Sequence, residues 1–204
     1  MSSNYAHFLK HPVFKVVSKY ATENNIQAFV IGGYVRDLFL ERNSKDIDIV
    51  IVGDGPSFAQ AIASIMRIKK ISIFKNYGTA HFKYKDLDIE FVGARKESYQ
   101  EDSRNPSTSE GTIQDDQLRR DFTINALALD LNAERYGALV DPFEGMKDLE
   151  NGILKTPLAP DLTFSDDPLR MMRAIRFATQ LNFKIEINCL ESIHRQSHRI
   201  EIIS

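Results

Sequence analysis

Two apolar runs joined through a pair of glycines constrain the fold of this chain more than any other feature. The first run, Ala28–Ile31, ends at Gly32-Gly33, and the second, Lys45–Val52, carries Asp46 and Asp48 near its start. Successive side chains of a strand point to opposite faces, so the two aspartates share one face while the isoleucines beside them point into a core. The sequence therefore predicts two strands, with a glycine turn ending the first and a carboxylate pair on the second.

The glycine turn has the properties of a phosphate-binding turn. Glycine lets a backbone approach a ligand closely, and the N–H groups at the start of the following helix favour anions. Arg36, three residues after Gly33, would add a charge-assisted hydrogen bond to a phosphate. The same turn is also common as a purely structural feature. The Gly-x-Gly-x-x-Gly fingerprint of dinucleotide-binding proteins is excluded, because arginine and aspartate stand where that fold needs small residues.

The carboxylate pair predicts a site for a divalent cation, although a solvated strand edge is the plainer alternative. Magnesium prefers carboxylate oxygens and shares its coordination with substrate phosphates. Two neighbouring carboxylates repel each other unless a cation or a proton lies between them. A later predicted strand, Leu87–Val92, places Asp88 and Glu90 on one face. Glu90 is the candidate for a third carboxylate at a site for two metal ions roughly 4 Å apart. Asp88 is the competitor, but a solvent-facing partner for a lysine describes it better.

A predicted helix near the end of the chain carries a stripe of arginines. At about 100° per residue, Arg170, Arg173 and Arg176 occupy one arc of this helix, and an apolar face lies apart from them. The apolar face comprises Met171, Ala174, Ile175, Ala178 and Leu181. No acidic residue stands between Asp167 and Glu186 to neutralise the stripe. Two interpretations of the arginine stripe stay open. It is a helix face that is solvated or ion-paired, or it is a surface that binds a nucleotide. Asp167 accepts hydrogen bonds and Arg170 donates them, which matches the edges of cytosine and adenine but not those of guanine and uracil.

The amino-acid composition limits which kinds of partner and which cellular compartment are expected. A net charge of -2 over 204 residues argues against a generally basic surface, so contacts with nucleic acid must come from local patches. The single cysteine, Cys189, excludes an internal disulfide and suits a reducing compartment. No apolar run is long enough to span a bilayer, and the N-terminal segment lacks the apolar core of a signal peptide. We therefore expect a cytoplasmic protein without a membrane partner.

The rest of the chain alternates predicted helices and strands. The predicted helices cover about Pro12–Asn24, Tyr34–Leu40, Ser57–Met66, Asp115–Leu131, Ser165–Leu181 and a segment from Asn188, and the further strands are Ile71–Phe74 and Ala80–Tyr84. Ser57 is the predicted cap of its helix. The polar segment Glu97–Thr112, with its proline, reads as a mobile surface loop. The chain stops inside what reads as a continuing segment, which suggests a fragment of a longer protein.

Six short motifs occur in a fixed order along nearly the whole chain. They are Gly32-Gly33-Tyr34-Val35-Arg36-Asp37, Asp46-Ile47-Asp48, Ile89-Glu90-Phe91 with Ala94-Arg95, Arg119-Arg120-Asp121-Phe122-Thr123-Ile124-Asn125-Ala126, Asp141-Pro142-Phe143, and Asp166-Asp167-Pro168-Leu169-Arg170-Met171-Met172-Arg173-Ala174-Ile175-Arg176-Phe177. Any one of them could arise by chance. Together they resemble the class II tRNA nucleotidyltransferase and bacterial poly(A) polymerase family.

The resemblance implies an α/β (α+β) fold in two parts. Residues 1–157 would form a polymerase-β-like nucleotidyltransferase head, a mixed sheet flanked by helices, and residues 158–204 would begin an all-α neck. The implied activity is the addition of CCA to tRNA 3′ ends from CTP and ATP. The RNA 3′-hydroxyl attacks the α-phosphate, pyrophosphate leaves, and two Mg²⁺ ions assist. Such chemistry depends mostly on positioning and charge neutralisation.

The resemblance also implies roles for individual residues. Asp46 and Asp48 would hold the metal ions, and Glu90 stands where the family often has a third acidic residue. The implied nucleotide-binding residues are Gly32, Gly33, Arg36, Arg120, Asp167, Arg170, Arg173 and Arg176. Among them, Asp167 and Arg170 would template the base. The segment Glu101–Gly111 corresponds to the family's flexible loop.

Two departures from the family pattern and several alternatives stay open. Asp166 stands where the templating motif usually begins with glutamate, and the body and tail that grip tRNA lie beyond this chain. The motifs do not distinguish CCA addition from CC-only addition, A-only addition or poly(A) synthesis. A non-catalytic module that binds nucleotide or RNA is a third possibility. The oligomeric state is not readable from the sequence.

Overall fold

The computed structural model describes residues 4–74, 77–100 and 103–202, which alternate between helices and strands. The helices are α1 (Pro12–Glu23), α2 (Gly33–Phe39), α3 (Gly55–Ile65), α4 (Ile113–Leu118), α5 (Gly145–Asn151), α6 (Pro160–Asp166), α7 (Leu169–Leu181) and α8 (Ile187–Gln196). The strands are β1 (Ala28–Ile31), β2 (Asp46–Ile51), β3 (Ser72–Phe74), β4 (Thr79–Tyr84), β5 (Leu87–Gly93), β6 (Arg95–Gln100), β7 (Ser103–Glu110), β8 (Ala128–Asp130), β9 (Leu139–Val140), β10 (Ile153–Leu154) and β11 (Lys184–Ile185).

Seven of these strands form one mixed sheet in the order β3-β4-β5-β2-β1-β8-β9, counted over the described residues. Strand β1 pairs antiparallel with β2 and β8, β2 pairs parallel with β5, and β5 pairs antiparallel with β4. All four residues of β1 are buried, which explains why this strand reads as an uninterrupted apolar run. The mixed α/β architecture implied by the resemblance is confirmed.

One face of the sheet is apolar, and helix α3 packs on it. Phe58 of α3 lies 5.9 Å from Phe91 of β5, measured between ring centroids, and Phe91 lies 5.5 Å from Phe82 of β4. Ile47 and Ile49 of β2 belong to the same face and are fully buried. The alternation of buried and less buried residues along β2 and β5 leaves their carboxylates on the other face.

The predicted helix over Asp115–Leu131 is wrong in its second half. Helix α4 ends at Leu118, a 3-10 turn covers Thr123–Asn125, and the chain continues as strand β8 beside β1. Two local hydrogen bonds replace helical ones here, since the Asp121 carboxylate accepts from the Phe122 amide at 2.9 Å and from Asn125 Nδ2 at 3.0 Å. Short polar side chains compete with helical hydrogen bonds in this way.

The predicted loop over Glu97–Thr112 is also wrong, because β6 and β7 pair as a two-stranded sheet. Residues 101–102 of the corresponding flexible loop lie outside the described residues. Gly111 returns the chain to the main sheet, where its amide donates to the Ala94 carbonyl at 3.0 Å. Polar composition in this segment therefore does not indicate the absence of strands.

Two smaller corrections concern helix ends and faces. Asp54, not Ser57, caps α3, because the Asp54 carboxylate accepts from the Ser57 amide at 3.1 Å. Ile175, assigned to the apolar face of α7, is 51% exposed. Helix α6 was not predicted from the sequence. It ends at Asp166, and α7 begins only at Leu169, so the predicted single helix from Ser165 is divided in two.

Contacts within the chain define two compact units. The first comprises Met1–Arg95, Glu110–Ile113 and Leu127–Val140, and the second comprises Lys96–Ser109, Gln114–Ala126 and Asp141–Ser204. The first unit contains the seven-stranded sheet. The second contains the C-terminal helices, where Phe164, Met171 and Cys189 form a buried cluster. The predicted head–neck boundary near residue 157 stays a prediction. Among the described helices, none combines the length and hydropathy needed to cross a bilayer.

Candidate active site

Gly32 forms the turn between β1 and α2 in the first unit, and Arg36 lies within α2. Gly32 has φ +83°, a conformation that residues with a Cβ rarely adopt, and its amide donates to the Leu127 carbonyl at 3.2 Å. A Cβ added at Gly33 would lie 3.6 Å from Arg36 Nη2, so Gly33 is directly beside the guanidinium group. Arg36 is only 5% exposed, and its Nε donates to Asp37 Oδ1 at 2.9 Å. The turn therefore holds a cation at the end of the central strand.

The four carboxylates of β2 and β5 share one sheet face. The parallel register places Asp46 beside Asp88 and Asp48 beside Glu90, which confirms that each pair lies on one side of its strand. The spacing between neighbouring strands is about 4.8 Å. Like charges this close disfavour each other's ionised form.

Glu90 carries the signature of this repulsion. Burial raises the pKa of Glu90, and the neighbouring Asp48 carboxylate raises it further. His81, a hydrogen bond from Thr79 and the charge of Arg95 oppose the shift without cancelling it. A divalent cation would offset the repulsion between Asp48 and Glu90, and carboxylate oxygens suit a hard cation such as magnesium.

Asp88 is engaged elsewhere. Its Oδ1 lies 2.9 Å from His81 Nε2 and 3.3 Å from Lys83 Nζ. Burial acts to raise the pKa of Asp88, but the hydrogen bonds and charges of His81 and Lys83 outweigh it and lower the pKa. The sequence interpretation of Asp88 as the partner of a lysine is confirmed, and Glu90 is the better candidate for a third carboxylate. The sequence interpretation assigned His81 no catalytic role, and the antiparallel register of β4 on β5 brings it beside Asp88 and Glu90.

The carboxylates do not form a finished metal cage. Within residues 4–74, 77–100 and 103–202, no three His, Cys, Asp or Glu side chains converge as a metal-binding group. Asp46 is exposed and Asp48 is half-buried, so both oxygen pairs face a space that a ligand can enter. Magnesium commonly binds to one or two carboxylates and completes its shell with water and substrate phosphates. The residues present fit that mode of binding.

The second unit contains two half-buried arginines around one buried carboxylate. Asp116 is fully buried, and its Oδ2 accepts from Arg120 Nε at 3.2 Å and from Arg120 Nη2 at 3.1 Å. Arg119 Nε donates to Asp116 Oδ1 at 2.9 Å. Burial acts to raise the pKa of Asp116, but the charges of Arg120 and Arg119 outweigh it and lower the pKa. Arg120 also donates to the Asn125 carbonyl at 3.4 Å.

The arginine stripe of α7 is not uniformly solvated. Arg170 is 7% exposed and donates to the Arg119 carbonyl at 2.7 Å and the Thr163 carbonyl at 3.4 Å. Arg173 Nε donates to Asp121 Oδ2 at 2.7 Å. Arg173 therefore follows the ion-paired alternative of the sequence interpretation, with a partner that lies 52 residues earlier in the chain.

Arg176 and Asp167 complete the set of candidate residues. Arg176 is exposed, with its guanidinium carbon 4.7 Å from the centroid of the Phe177 ring. Asp167 is half-buried and accepts from the Leu169 amide at 3.1 Å, so it caps the first turn of α7. The structure thus groups Gly32, Gly33, Arg36, Asp46, Asp48 and Glu90 in the first unit, and Arg120, Asp167, Arg170, Arg173 and Arg176 in the second.

Residues 28–155 match the family model described as the poly A polymerase head domain. The chain belongs to this family. It is 39% identical over 160 residues to the A-adding tRNA nucleotidyltransferase of Aquifex aeolicus (strain VF5), an alignment that covers 78% of this chain and 19% of that protein.

Two solved structures show the same fold. A CCA-adding enzyme in an apo form matches with a TM-score of 0.87 and 34% identity over 97% of this chain and 48% of its own. A tRNA nucleotidyltransferase complexed with a primer tRNA and an incoming ATP analog matches with a TM-score of 0.79 and 34% identity over 89% of this chain and 50% of its own. The chain thus spans about a fifth of the Aquifex relative and about half of each solved chain.

Proposed function

We propose that this chain is the head and the start of the neck of a template-independent RNA nucleotidyltransferase that adds CCA to tRNA 3′ ends from CTP and ATP. The observation that carries the proposal is the row of carboxylates on β2 and β5, with the Gly32–Arg36 turn on the adjacent strand β1. The family membership and the tRNA and ATP analog bound by a relative of the same fold support it.

The proposed reaction is a phosphoryl transfer that depends on charge neutralisation and positioning. The 3′ oxygen of the RNA forms a bond to the α-phosphorus, the bond from that phosphorus to the oxygen bridging the β-phosphate breaks, and pyrophosphate leaves. Asp46 and Asp48 would hold two Mg²⁺ ions, with Glu90 as a third acidic neighbour. When bound, the ions would lower the negative charge at the reacting phosphate. Arg36, beside Gly33, would contact the triphosphate.

The proposal also assigns contacts to the base and further contacts to the phosphates. Asp167 and Arg170 present an acceptor and a donor, which suit cytosine and adenine. The two backbone carbonyls that hold Arg170 fix the plane of its guanidinium group, as a templating role requires. Arg120, Arg173 and Arg176 would add contacts to the nucleotide.

Nucleotide addition by the complete protein tests the proposal. We expect incorporation of CTP and ATP into tRNA that lacks its CCA end, and loss of at least a thousandfold in D46N and D48N, because charge stabilisation is the largest part of such catalysis. The matched control is E134Q, an exposed carboxylate on a separate 3-10 turn. Incorporation of ATP alone into oligo(A) would replace the proposal with poly(A) synthesis. Addition of only C or only A would indicate a CC-adding or an A-adding enzyme. No incorporation at all would indicate a non-catalytic binding module.

A further inference from the structure

One stretch of the chain has a charge unlike the rest. Residues 55–85 contain six lysines or arginines and no aspartate or glutamate, in a protein whose net charge is -2. The six are Arg67, Lys69, Lys70, Lys75, Lys83 and Lys85. This stretch runs from α3 through β3 to the end of β4. Lys75 lies outside the described residues.

Three of these cations are exposed at the segment that leads into β3. Arg67, Lys69 and Lys70 are exposed, and none of them forms an ion pair within the described part of the chain. Lys83 differs, because it pairs with Asp88. Unpaired cations on adjacent residues create a local positive potential that attracts an anion.

Two aromatic side chains that follow these cations in the sequence are exposed. Phe74, at the end of β3, is 50% exposed, and Tyr77, just before β4, is 68% exposed. The backbone that carries Tyr77 is held in place, since its carbonyl accepts from Arg95 Nη1 at 2.8 Å and the next carbonyl, of Gly78, accepts from the Gly93 amide at 3.1 Å. An exposed aromatic ring on an anchored backbone is a stacking surface for a base.

The position of β3 in the sheet relates this surface to the carboxylates. Strand β3 is the last strand of the sheet on its side, within the described residues. The cross-strand register runs from Ser72 to His81, Glu90 and Asp48, so these four side chains form one row on one sheet face. At about 4.8 Å per strand, Ser72 lies about 14 Å from Asp48. Nucleotides that precede a 3′ end held at the carboxylates could reach this edge.

We propose that the edge formed by Arg67, Lys69, Lys70, Phe74 and Tyr77 binds single-stranded RNA on the approach to the carboxylates. The charges match a phosphate backbone, and the aromatic rings match unpaired bases, whereas a duplex hides its bases from stacking. The inference rests on the proposed function in one respect, namely that RNA is the substrate. RNA binding itself can be measured without catalysis.

The experiment measures fluorescence anisotropy of a short fluorescein-labelled single-stranded RNA against the 204-residue protein, in EDTA and without nucleotide. We expect K69E/K70E to weaken binding at least tenfold and to reduce the slope of log affinity against log salt by about 1.4, for two lost phosphate contacts. The matched control, K15E/K19E, reverses two exposed lysines on α1 and leaves binding within twofold. Equal losses in both double variants, or no loss in K69E/K70E, overturns the proposal.

Aromatic variants separate stacking from general attraction to a polyanion. We expect F74A and Y77A each to weaken RNA binding about tenfold, while Y77F keeps it, because the ring and not the hydroxyl stacks. The control I65A removes an equally exposed side chain that is not aromatic. Equal affinity for RNA and for duplex DNA of the same length would overturn the stacking part. Because RNA binding is measured in EDTA and without nucleotide, failed RNA binding and failed nucleotide addition are distinguishable results.

Discussion

Gly32 shows how one backbone conformation fixes the start of the candidate site. Its φ of +83° lies where a Cβ is strained, whereas Gly33 has ordinary φ and only Arg36 near the place of a Cβ. We expect G32A to lower the free energy of unfolding by about 1–3 kcal/mol. G33A is the matched control, and we expect it to change that free energy by less than about 0.5 kcal/mol. Urea denaturation measures both, and equal losses would show that the φ value is not the cause.

Glu90 makes the stability of the metal-free protein depend on pH. Burial and Asp48 raise its pKa in the folded state, so the stability it contributes is complete below the ordinary pKa of glutamate and is lost as pH rises through the raised value. Glutamine at this position cannot ionise. We therefore expect E90Q to be more stable than the unaltered protein at neutral pH in EDTA, and the two to converge under acidic conditions.

Denaturant midpoints across the pH range measure this difference. The control is D86N, because a hydrogen bond from Lys45 lowers the pKa of Asp86 and its charged form is favoured in the folded state. D86N should leave stability at neutral pH unchanged or slightly lower, the opposite direction from E90Q. A less stable E90Q at neutral pH would contradict the assigned cause.

At the scale of elements, the N-terminus of helix α3 has two candidate caps, Asp54 and Ser57. The Asp54 carboxylate accepts from the Ser57 amide, and the hydrogen bonds from the Ser57 hydroxyl and amide lower the pKa of Asp54. We expect D54A to lower the free energy of unfolding by about 1 kcal/mol. S57A keeps the Asp54 cap and the Ser57 amide and loses only the hydroxyl that donates to the Asp54 carboxylate, so its cost should be smaller. Thermal or urea unfolding measures the loss of stability in both variants. A larger loss in S57A than in D54A would identify Ser57 as the cap.

Elements with a strong internal pattern were predictable from the sequence, and elements set by distant contacts were not. Helix α1, strand β2 and helix α7 follow their hydrophobic periodicity closely. Strand β8 lies in a segment with good helical spacing, but Asp121 captures local hydrogen bonds and β1 supplies a pairing partner. Strands β6 and β7 have a polar sequence, and residues 107–110 of β7 are exposed, so no apolar alternation marks them.

At the scale of the whole molecule, the sequence predicted the strand faces of the candidate residues better than it predicted their partners. The carboxylate faces of β2 and β5 followed from alternation alone, but the register that sets Glu90 beside Asp48 depends on how the strands pair. Likewise, the sequence near Arg173 shows no acidic partner for it, because its partner Asp121 is remote in sequence. Partners separated by dozens of residues are a property of the fold and leave no local signal.

A bound cation should stabilise the whole folded chain, because a ligand that binds only the folded state shifts unfolding by mass action. At ten times its dissociation constant, magnesium should add about 1.4 kcal/mol to the free energy of unfolding, measured as an upward shift of the thermal midpoint relative to EDTA. We expect D46N and D48N to lose this shift and E134Q to keep it. Potassium chloride at matched ionic strength controls for screening of surface charge. A shift that persists in both aspartate variants would place the cation elsewhere, and the absence of a shift in the unaltered protein would mean that the carboxylates need the substrate phosphates to hold magnesium.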